Sequence, residues 1–155
     1  MESKNVKESS VEMAQVMTPQ DVNIAGNVHG GVIMRLVDTA AALAATRHAR
    51  SNVVTASIDR LDFLHPVYVG DLVTLKASLN MVGRTSMEVG VRVEAEDPLT
   101  GKIRHVASAY LTFVALDKQG KPKPMPPLIL ATQEEQRRNR EAQARREVRL
   151  HEGQK

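Results

Sequence analysis

The chain of 155 residues contains no cysteine and no tryptophan, and it has only two tyrosines and two phenylalanines. The missing cysteine excludes disulfides and thiol chemistry. With so few aromatic rings for bases to stack on, nucleic acid is not expected as a partner. No run approaches the roughly eighteen apolar residues of a membrane span, and the polar start MESKNVKESS lacks the apolar core of a signal peptide. We therefore expect a cytoplasmic protein without a membrane partner.

The overall composition is that of one globular domain. Hydrophobic residues make up 42% of the chain and charged residues 25%, which are ordinary values for a soluble protein with a packed core. The net charge of +3 is small and lies largely in the C-terminal tail, so it does not indicate nucleic acid either. The five histidines show no metal-ligand spacing, and no metal site is expected.

The most informative stretch runs from Asp21 to His48. Its first part is a loop that contains three glycines, and its second part is an uninterrupted helical pattern that starts near Gly31 and ends near His48. The buried face of this helix is predicted from apolar residues at helical spacing, which are Ile33, Leu36, Val37, Ala40 and Ala44. A long and mostly apolar helix of this kind must be wrapped by other elements.

One acid in this helix stands out. A second apolar sector of the helix is formed by Met34, Ala41, Ala42 and Ala45. The polar stripe that remains consists of Arg35, Thr39 and Thr46. Asp38 lies outside that stripe, so its carboxylate is expected in a mostly apolar surround, which is costly unless the group is hydrogen-bonded or used in chemistry. Asp38 is therefore a candidate general base, and the alternative is a buried acid that only braces the backbone.

The loop before the helix supplies complementary groups. Gly26, Gly30 and Gly31 allow close approach of a ligand to the backbone, and the first turn of a helix presents N–H groups without intrahelical partners. Donors for a developing oxyanion and a carboxylate that activates water are the two halves of a site for attack on a carbonyl. The alternative for Gly30 and Gly31 is a role in helix entry alone.

The pattern N-x-x-G-x-x-x-G-G-x-x-M-x-x-x-D resembles the signature of the hotdog-fold acyl-CoA thioesterases, the bacterial broad-range and brain-type cytosolic acyl-CoA hydrolases. Here it is formed by Asn23, Gly26, Gly30, Gly31, Met34 and Asp38. The similarity continues through Val53–Phe63, Val69–Asp71, Val82–Val89 and Ala107–Asp117. An ordered set of matches over most of the chain is far more specific than a single glycine pair.

The resemblance implies an enzyme that hydrolyses fatty acyl-CoA to free acid and CoA, with Asn23 and Asp38 as the catalytic pair. Asp38 would act as general base or nucleophile, and Asn23 would reach the site from the partner subunit of a homodimer. Such dimers are expected to assemble further into tetramers or hexamers, with a trimer of dimers favoured. CoA enters as substrate and product, and no metal or redox cofactor is implied.

Other residues receive secondary roles. His29 and Thr55 are expected to support the pocket, and Gly30 and Gly31 are expected to donate to the oxyanion. The donor-rich turn that is expected to contact the CoA nucleotide consists of Gly83, Arg84, Thr85 and Ser86. The alternative for this turn is a plain hairpin with an exposed arginine.

The strand pattern completes an α+β fold. One strand, Val11 to Met17, precedes the helix, and four follow it. In the first of these, Val54, Ala56 and Ile58 are expected to point inward, with a bulge near Asp59 or Arg60 that shifts the inward parity to Leu61 and Phe63. The next two strands alternate cleanly, and the last runs from Arg104 to Leu116. Short connections predict a curved antiparallel sheet around the helix, which is the hotdog architecture.

The chain is expected to divide into four segments. These are a flexible N-terminus at 1–10, the hotdog domain at 11–120, a proline-rich linker at 121–131 and a charged helical tail at 132–155. The tail has too few apolar residues for a firm seam, so it is expected either as a solvated or crossing helix that adds oligomer contacts or as a disordered segment.

Two other functions stay open. A hotdog hydratase or dehydratase would combine His29 with Asp38 to move water across a double bond. A non-catalytic acyl-CoA-binding protein would bind the ligand without turnover.

Overall fold

The computed structural model describes residues 1–153. Its helices are α1 (Gly30–Ala49) and α2 (Gln133–Glu152), and short 3₁₀ turns occupy Val6–Glu8 and Pro19–Asp21. Its strands are β1 (Lys4–Asn5), β2 (Val11–Val16), β3 (Asn52–Phe63), β4 (Leu72–Val82), β5 (Ser86–Glu96), β6 (Ile103–Leu116) and β7 (Leu128–Ile129).

Five strands form one antiparallel sheet in the order β2-β4-β5-β6-β3, so that β2 and β3 lie at its edges. Helix α1 packs against one face of this sheet. Its apolar stripe is buried among the inward side chains of the strands, and the alanines at 40, 41, 44 and 45 are fully inaccessible. Small side chains let the sheet approach the helix closely, which is how a sheet can curve around it. The α+β hotdog architecture predicted from the sequence is confirmed.

Helix α1 begins and ends within one residue of the predicted positions. Arg50 caps it in the left-handed conformation, with φ +52°, and donates its N–H to the Thr46 carbonyl. Its open side differs from the prediction. Met34 is 43% exposed and Leu43 is 46% exposed, so the sheet of one protomer covers the helix on one side only. The uncovered strip of α1 is therefore partly apolar.

The facing of β3 was predicted wrongly. Val54 and Ile58 are 47% and 44% exposed, and Val53 and Leu61 are the residues that pack on the core. Pairing with β6 shifts register twice, between Thr55 and Ser57 and again between Ile58 and Arg60. The single bulge expected near Asp59 or Arg60 accounts for the second shift only. The first shift, between Thr55 and Ser57, was not predicted from the alternation of apolar residues.

The N-terminal ten residues are not a separate loose segment in the structure. Strand β1 pairs in parallel with β7, and Val6 is buried. The Lys4 ammonium donates to the His48 carbonyl at 2.8 Å, which ties this segment to the end of α1. The proline-rich segment is likewise attached, since Met125 is buried in the core cluster. Residues 1–10 and 121–131 thus make contacts with the domain that the sequence pattern did not indicate.

Helix α2 forms from the tail and crosses the outer side of the sheet. Thr132 caps its start by accepting the Glu135 N–H at 3.1 Å, and the side chain of Ala142 alone among the helix residues is buried. Attachment comes from polar groups instead, above all Arg145, which binds the buried Glu88 of β5. Of the predicted tail, residues 154 and 155 lie outside the described part of the chain. Over residues 1–153, neither helix combines the length and hydropathy that crossing a membrane requires.

Candidate active site

Asp38 and Thr55 meet on the open side of α1. The Thr55 hydroxyl on β3 donates to Asp38 Oδ1 at 3.0 Å. Asp38 is partly buried, and its second carboxylate oxygen has no hydrogen-bond partner among residues 1–153. One oxygen is thus held in place while the other remains able to accept a proton or bind water.

Asn23 stands in a tight loop just before α1. Its side-chain oxygen accepts the N–H groups of Ala25 at 2.9 Å and Asn27 at 3.2 Å. Its own N–H donates to the Asn27 carbonyl at 2.8 Å, and Gly26 supplies the left-handed conformation that the turn requires, with φ +90°. Because the oxygen is occupied by two donors, the amide orientation is fixed by its network. The NH₂ group, which has no partner within the described residues, is therefore available as a donor.

The entry of α1 provides further donors. Gly30 and Gly31 are exposed, and their N–H groups have no acceptor within residues 1–153. His29 is the N-cap residue, but its side chain makes no capping bond, and its N–H donates to the Asp21 carbonyl at 2.8 Å. A helix start whose amides are not capped by a side chain is suited to bind negative charge.

Within one protomer these groups do not converge on one point. Asp38 lies eight residues beyond Gly30, which at the rise of an α-helix is roughly 12 Å along its axis. The structure brings Asp38 together with Thr55 near the middle of α1. The other predicted residues lie together at the start of the helix, and these are Asn23, His29, Gly30 and Gly31. Asp38 and the Asn23 loop are therefore separate groups within one protomer.

The predicted CoA turn is a tight hairpin between β4 and β5. Gly83 donates its N–H to the Ser86 carbonyl at 2.8 Å, and the side chain of Arg84 is exposed. Met87, next to this turn, pairs with Phe113, which in turn pairs with Thr55. The turn is therefore level with Thr55 and two strands away, roughly 10 Å at the usual strand spacing.

Two half-open cavities lie away from these residues. Cavities of about 620 Å³ and 530 Å³ lie between α2 and the outer side of the sheet, and none of the predicted site residues lines them. Within residues 1–153, no group of three or more His, Asp or Glu side chains is placed to hold a metal ion. The absence of metal chemistry stays a prediction from the sequence.

Sequence reasoning did not single out two charged residues that lie beside the Asn23 loop. Asp71 and Arg104 form an ion pair at 2.8 Å, with side-chain exposures of 7% and 19%. The available signal was the aspartate that follows Val69-Gly70 in the turn before β4, since a short acid in a glycine turn often accepts backbone N–H groups.

The fold and the site together define a hotdog α+β protein that carries a carboxylate on its central helix. Residues 25–102 match the family model described as the thioesterase superfamily. A Bacillus subtilis protein named as an uncharacterized acyl-CoA thioester hydrolase is 42% identical over 134 residues, which cover 86% of this chain and 78% of that protein. The chain belongs to the thioesterase superfamily.

Solved structures agree with this assignment over nearly the whole chain. An apo hexameric acyl-CoA thioesterase is 41% identical, with a TM-score of 0.95 over 99% of this chain and 98% of that one. An acyl-CoA hydrolase from Staphylococcus aureus, in complex with butyryl-CoA, CoA and CoA disulfide, is 37% identical, with a TM-score of 0.90 over 97% and 92% of the two chains. Structures of that enzyme also exist with an aspartate, an asparagine or a threonine replaced by alanine.

Proposed function

We propose that this chain hydrolyses acyl-CoA thioesters to free acid and CoA at sites shared by the two subunits of a homodimer. The observation that carries the proposal is the Asp38 carboxylate, held by the Thr55 hydroxyl at 3.0 Å on the uncovered strip of α1. An oriented and partly buried carboxylate with one unoccupied oxygen is the group that activation of water, or direct attack on a thioester, requires.

Asp38 begins the reaction in this scheme. As general base it removes a proton from water, whose oxygen attacks the thioester carbon, and the C–S bond then breaks to release the CoA thiolate, which is protonated. As nucleophile it would itself attack that carbon, break the C–S bond to expel the CoA thiolate, which is protonated, and form an anhydride that water then cleaves. Both routes consume one water and yield one acid and one thiol.

Donors from the loop and the helix start stabilise the negative charge. The N–H groups of Gly30 and Gly31 are directed outward at the positive end of α1, where an oxyanion would be bound most strongly. The Asn23 NH₂ group adds a donor to the water or to the thioester oxygen, because its own carbonyl is occupied by the loop amides. His29 supports the same region from its N-cap position.

The uncovered surface supports a shared site. Strand β3 lies at the edge of the sheet, and Val54, Ile58 and Phe63 on it are about half exposed. Met34 lies one helical turn before Asp38 on α1 and is also 43% exposed. A long apolar edge strand invites pairing with another strand, and a second copy related by a two-fold axis offers the same surface. Such a dimer would bring Asn23 of one subunit to Asp38 of the other.

Substrate binding is assigned to the hairpin turn at 83–86. Arg84 and the hydroxyls of Thr85 and Ser86 suit the phosphates of CoA, and the turn lies level with Thr55.

The solved relatives support both the assembly and the choice of residues. The hexameric neighbour supports three such dimers as the complete assembly. The alanine structures of the Staphylococcus aureus enzyme concern the same three residue types as Asn23, Asp38 and Thr55, which also supports the assignment.

Release of thiol from a saturated acyl-CoA tests the reaction. Purified protein should produce free CoA, detected with a thiol reagent, from a panel of saturated chain lengths. A hydratase or dehydratase would leave saturated chains intact, and a binding protein would show no turnover. Either result would overturn the proposal.

Replacement of Asp38 by Asn tests the site. We expect a loss of 10²-fold or more in kcat, because a general base contributes about 10²–10⁴-fold. Glu147→Gln, which removes an exposed acid from α2, is the matched control and should leave kcat unchanged. Unchanged turnover in Asp38→Asn, with an intact oligomer, would remove Asp38 from the mechanism.

A further inference from the structure

We propose that the Asp71–Arg104 ion pair is a positioning device for Asn23. The inference rests on the proposed function, since it takes Asn23 to act on the substrate. Neither Asp71 nor Arg104 is expected to touch substrate. They act through the segment 66–71, which joins the end of β3 to β4 and supports the loop that holds Asn23.

The ion pair fixes segment 66–71 to the body of the sheet. Asp71 Oδ2 accepts the Tyr68 N–H at 2.9 Å and an Arg104 guanidinium N–H at 2.8 Å. The Arg104 guanidinium also lies over the Tyr68 ring, 5.8 Å from its centroid. Because Arg104 lies near the start of β6 and pairs there with Ala95 of β5, the turn at 68–71 is anchored to the sheet.

Segment 66–71 in turn supports the Asn23 loop. The Val28 N–H donates to the Val67 carbonyl at 2.8 Å, and Asn27 forms a β-bridge with Tyr68. Asn27 is also the residue that binds Asn23 twice, once through its carbonyl and once through its N–H. Hydrogen bonds therefore join Arg104 to Asp71, Asp71 to Tyr68, Val67 to Val28 and Asn27 to Asn23, and the backbone connects Tyr68 with Val67 and Val28 with Asn27.

Closing the turn at 68–71 does not by itself explain why two charged groups are buried there. Asp71 is only 5% exposed, and the Arg104 Nε atom is buried without a partner within residues 1–153. A buried ion pair is often no more stabilising than apolar residues of similar size, because both ions lose their hydration. What the pair does provide is a fixed orientation of the turn at 68–71, because the planar guanidinium binds the Asp71 carboxylate while lying over the Tyr68 ring. A fixed direction matters where a donor must meet a developing charge within a fraction of an ångström.

Two variants of the complete enzyme test the inference. Asp71→Asn preserves an acceptor for the Tyr68 N–H and removes the charge, and Arg104→Met removes the guanidinium while retaining a long side chain. We expect each to lower kcat for a saturated acyl-CoA about ten- to a hundredfold, as misplacement of a catalytic group does, with KM changed less than twofold. Arg145→Met, which breaks the other buried ion pair, should leave kcat unchanged and serves as the matched control.

The decisive readout is the same pair of variants in an Asn23→Ala background. If the ion pair acts through Asn23, Asp71→Asn and Arg104→Met should lower kcat no further once the carboxamide is gone. An equal loss in both backgrounds, or no loss with Asn23 present, would overturn the inference. If Asn23→Ala itself retains full activity, the role of Asn23 in the proposed function fails and the inference fails with it. If Asn23→Ala is impaired and the ion-pair variants are not, the inference alone fails.

Discussion

Helices α1 and α2 are both 20 residues long, yet they are attached to the sheet in opposite ways. Helix α1 buries nine residues, eight of them apolar, against one face. Helix α2 buries one alanine against the other face and is attached by Arg145 to Glu88, Arg149 to Asp59 and Asn139 to the backbone of Asn80. The comparison shows that apolar packing secures the helix that carries Asp38, while directed polar bonds secure the helix that lies outside the site.

The two modes of attachment should differ in their sensitivity to salt. Apolar burial is nearly insensitive to salt, whereas ion pairs are weakened by it to the extent that they are exposed. Glu88 is 1% exposed and receives two N–H groups of Arg145 at 2.8 Å each, with the Tyr110 ring 3.7 Å from the guanidinium carbon. This one contact is shielded from solvent, so it carries much of the attachment of α2.

Truncation of a buried side chain in α1 should have the largest effect on stability. Leu36→Ala removes a side chain of the core stripe and should lower the free energy of unfolding by about 2–5 kcal/mol, through lost burial and the cavity that remains. Leu150→Ala makes the same chemical change on α2, where the side chain is half exposed, and should stay within about 0.5 kcal/mol. Urea unfolding of both variants measures these free energies. Equal losses in the two variants would contradict the difference proposed between the helices.

Removal of Arg145 should have the next largest effect. Arg145→Met leaves the Glu88 carboxylate buried without its cation, and we expect a loss of about 1–3 kcal/mol in unfolding free energy. The double variant Glu88→Leu/Arg145→Met replaces the pair by apolar groups and should recover part of that loss. Chemical denaturation of the single and double variants measures this coupling. A double variant that loses the sum of the two single effects would show that the ion pair does not attach α2.

A smaller, pH-dependent effect is expected at the end of α1. Burial lowers the pKa of the His48 imidazole, against the opposing effect of the hydrogen bond to the Pro126 carbonyl. That carbonyl accepts from Nε2 at 2.7 Å, so added protons would go to Nδ1, which is buried without a partner within residues 1–153. Since the unfolded state binds a proton near pH 6.5, stability should be full above that pH and should fall as the pH decreases through the lowered folded pKa.

His48→Gln separates this effect from other acid-sensitive groups. Glutamine retains a donor for the Pro126 carbonyl but does not titrate, so the decline in the urea midpoint between about pH 6.5 and 5 should be shallower than in the native protein. Identical slopes for both proteins would show that another group governs the acid response.

The smallest effect is expected on the outer surface of α2. Arg137 forms ion pairs with Glu134 and Glu141 within the helix, and all three side chains are about half exposed. Exposed pairs of this kind are screened by water and salt. Arg137→Ala should therefore leave the thermal midpoint unchanged within error, and a clear decrease would mean that this surface is covered in the assembled protein.

The sequence predicted the elements whose signals are local. The ends of α1 follow from the absence of helix breakers between Gly31 and His48, and β4 and β5 follow from strict alternation of apolar residues. Thr55 was expected only to support the pocket, and its hydrogen bond to Asp38 is seen in the structure alone.

The rest depends on information that local patterns do not hold. Two register shifts in β3 leave Val53 and Leu61 on the same side of the strand, so a parity count that assumes a single bulge assigns Val54 and Ile58 to the wrong face. The docking of α2 depends on Arg145 and Glu88, charged residues that any sequence pattern assigns to solvent. The proposed sharing of the site between two subunits was implied by the family resemblance, because no single-chain pattern contains the contribution of a second copy.

The most direct test of the shared site is complementation between two inactive variants. Asn23→Ala and Asp38→Asn subunits are each expected to be nearly inactive alone. When they are dissociated together and reassembled at equal amounts, half of the dimers should be mixed, and each mixed dimer should contain one intact site, giving about a quarter of native activity. Recovery to that level is the predicted result. If the mixture exchanges subunits yet recovers no activity, Asn23 and Asp38 act within one subunit, and the account of the site is contradicted.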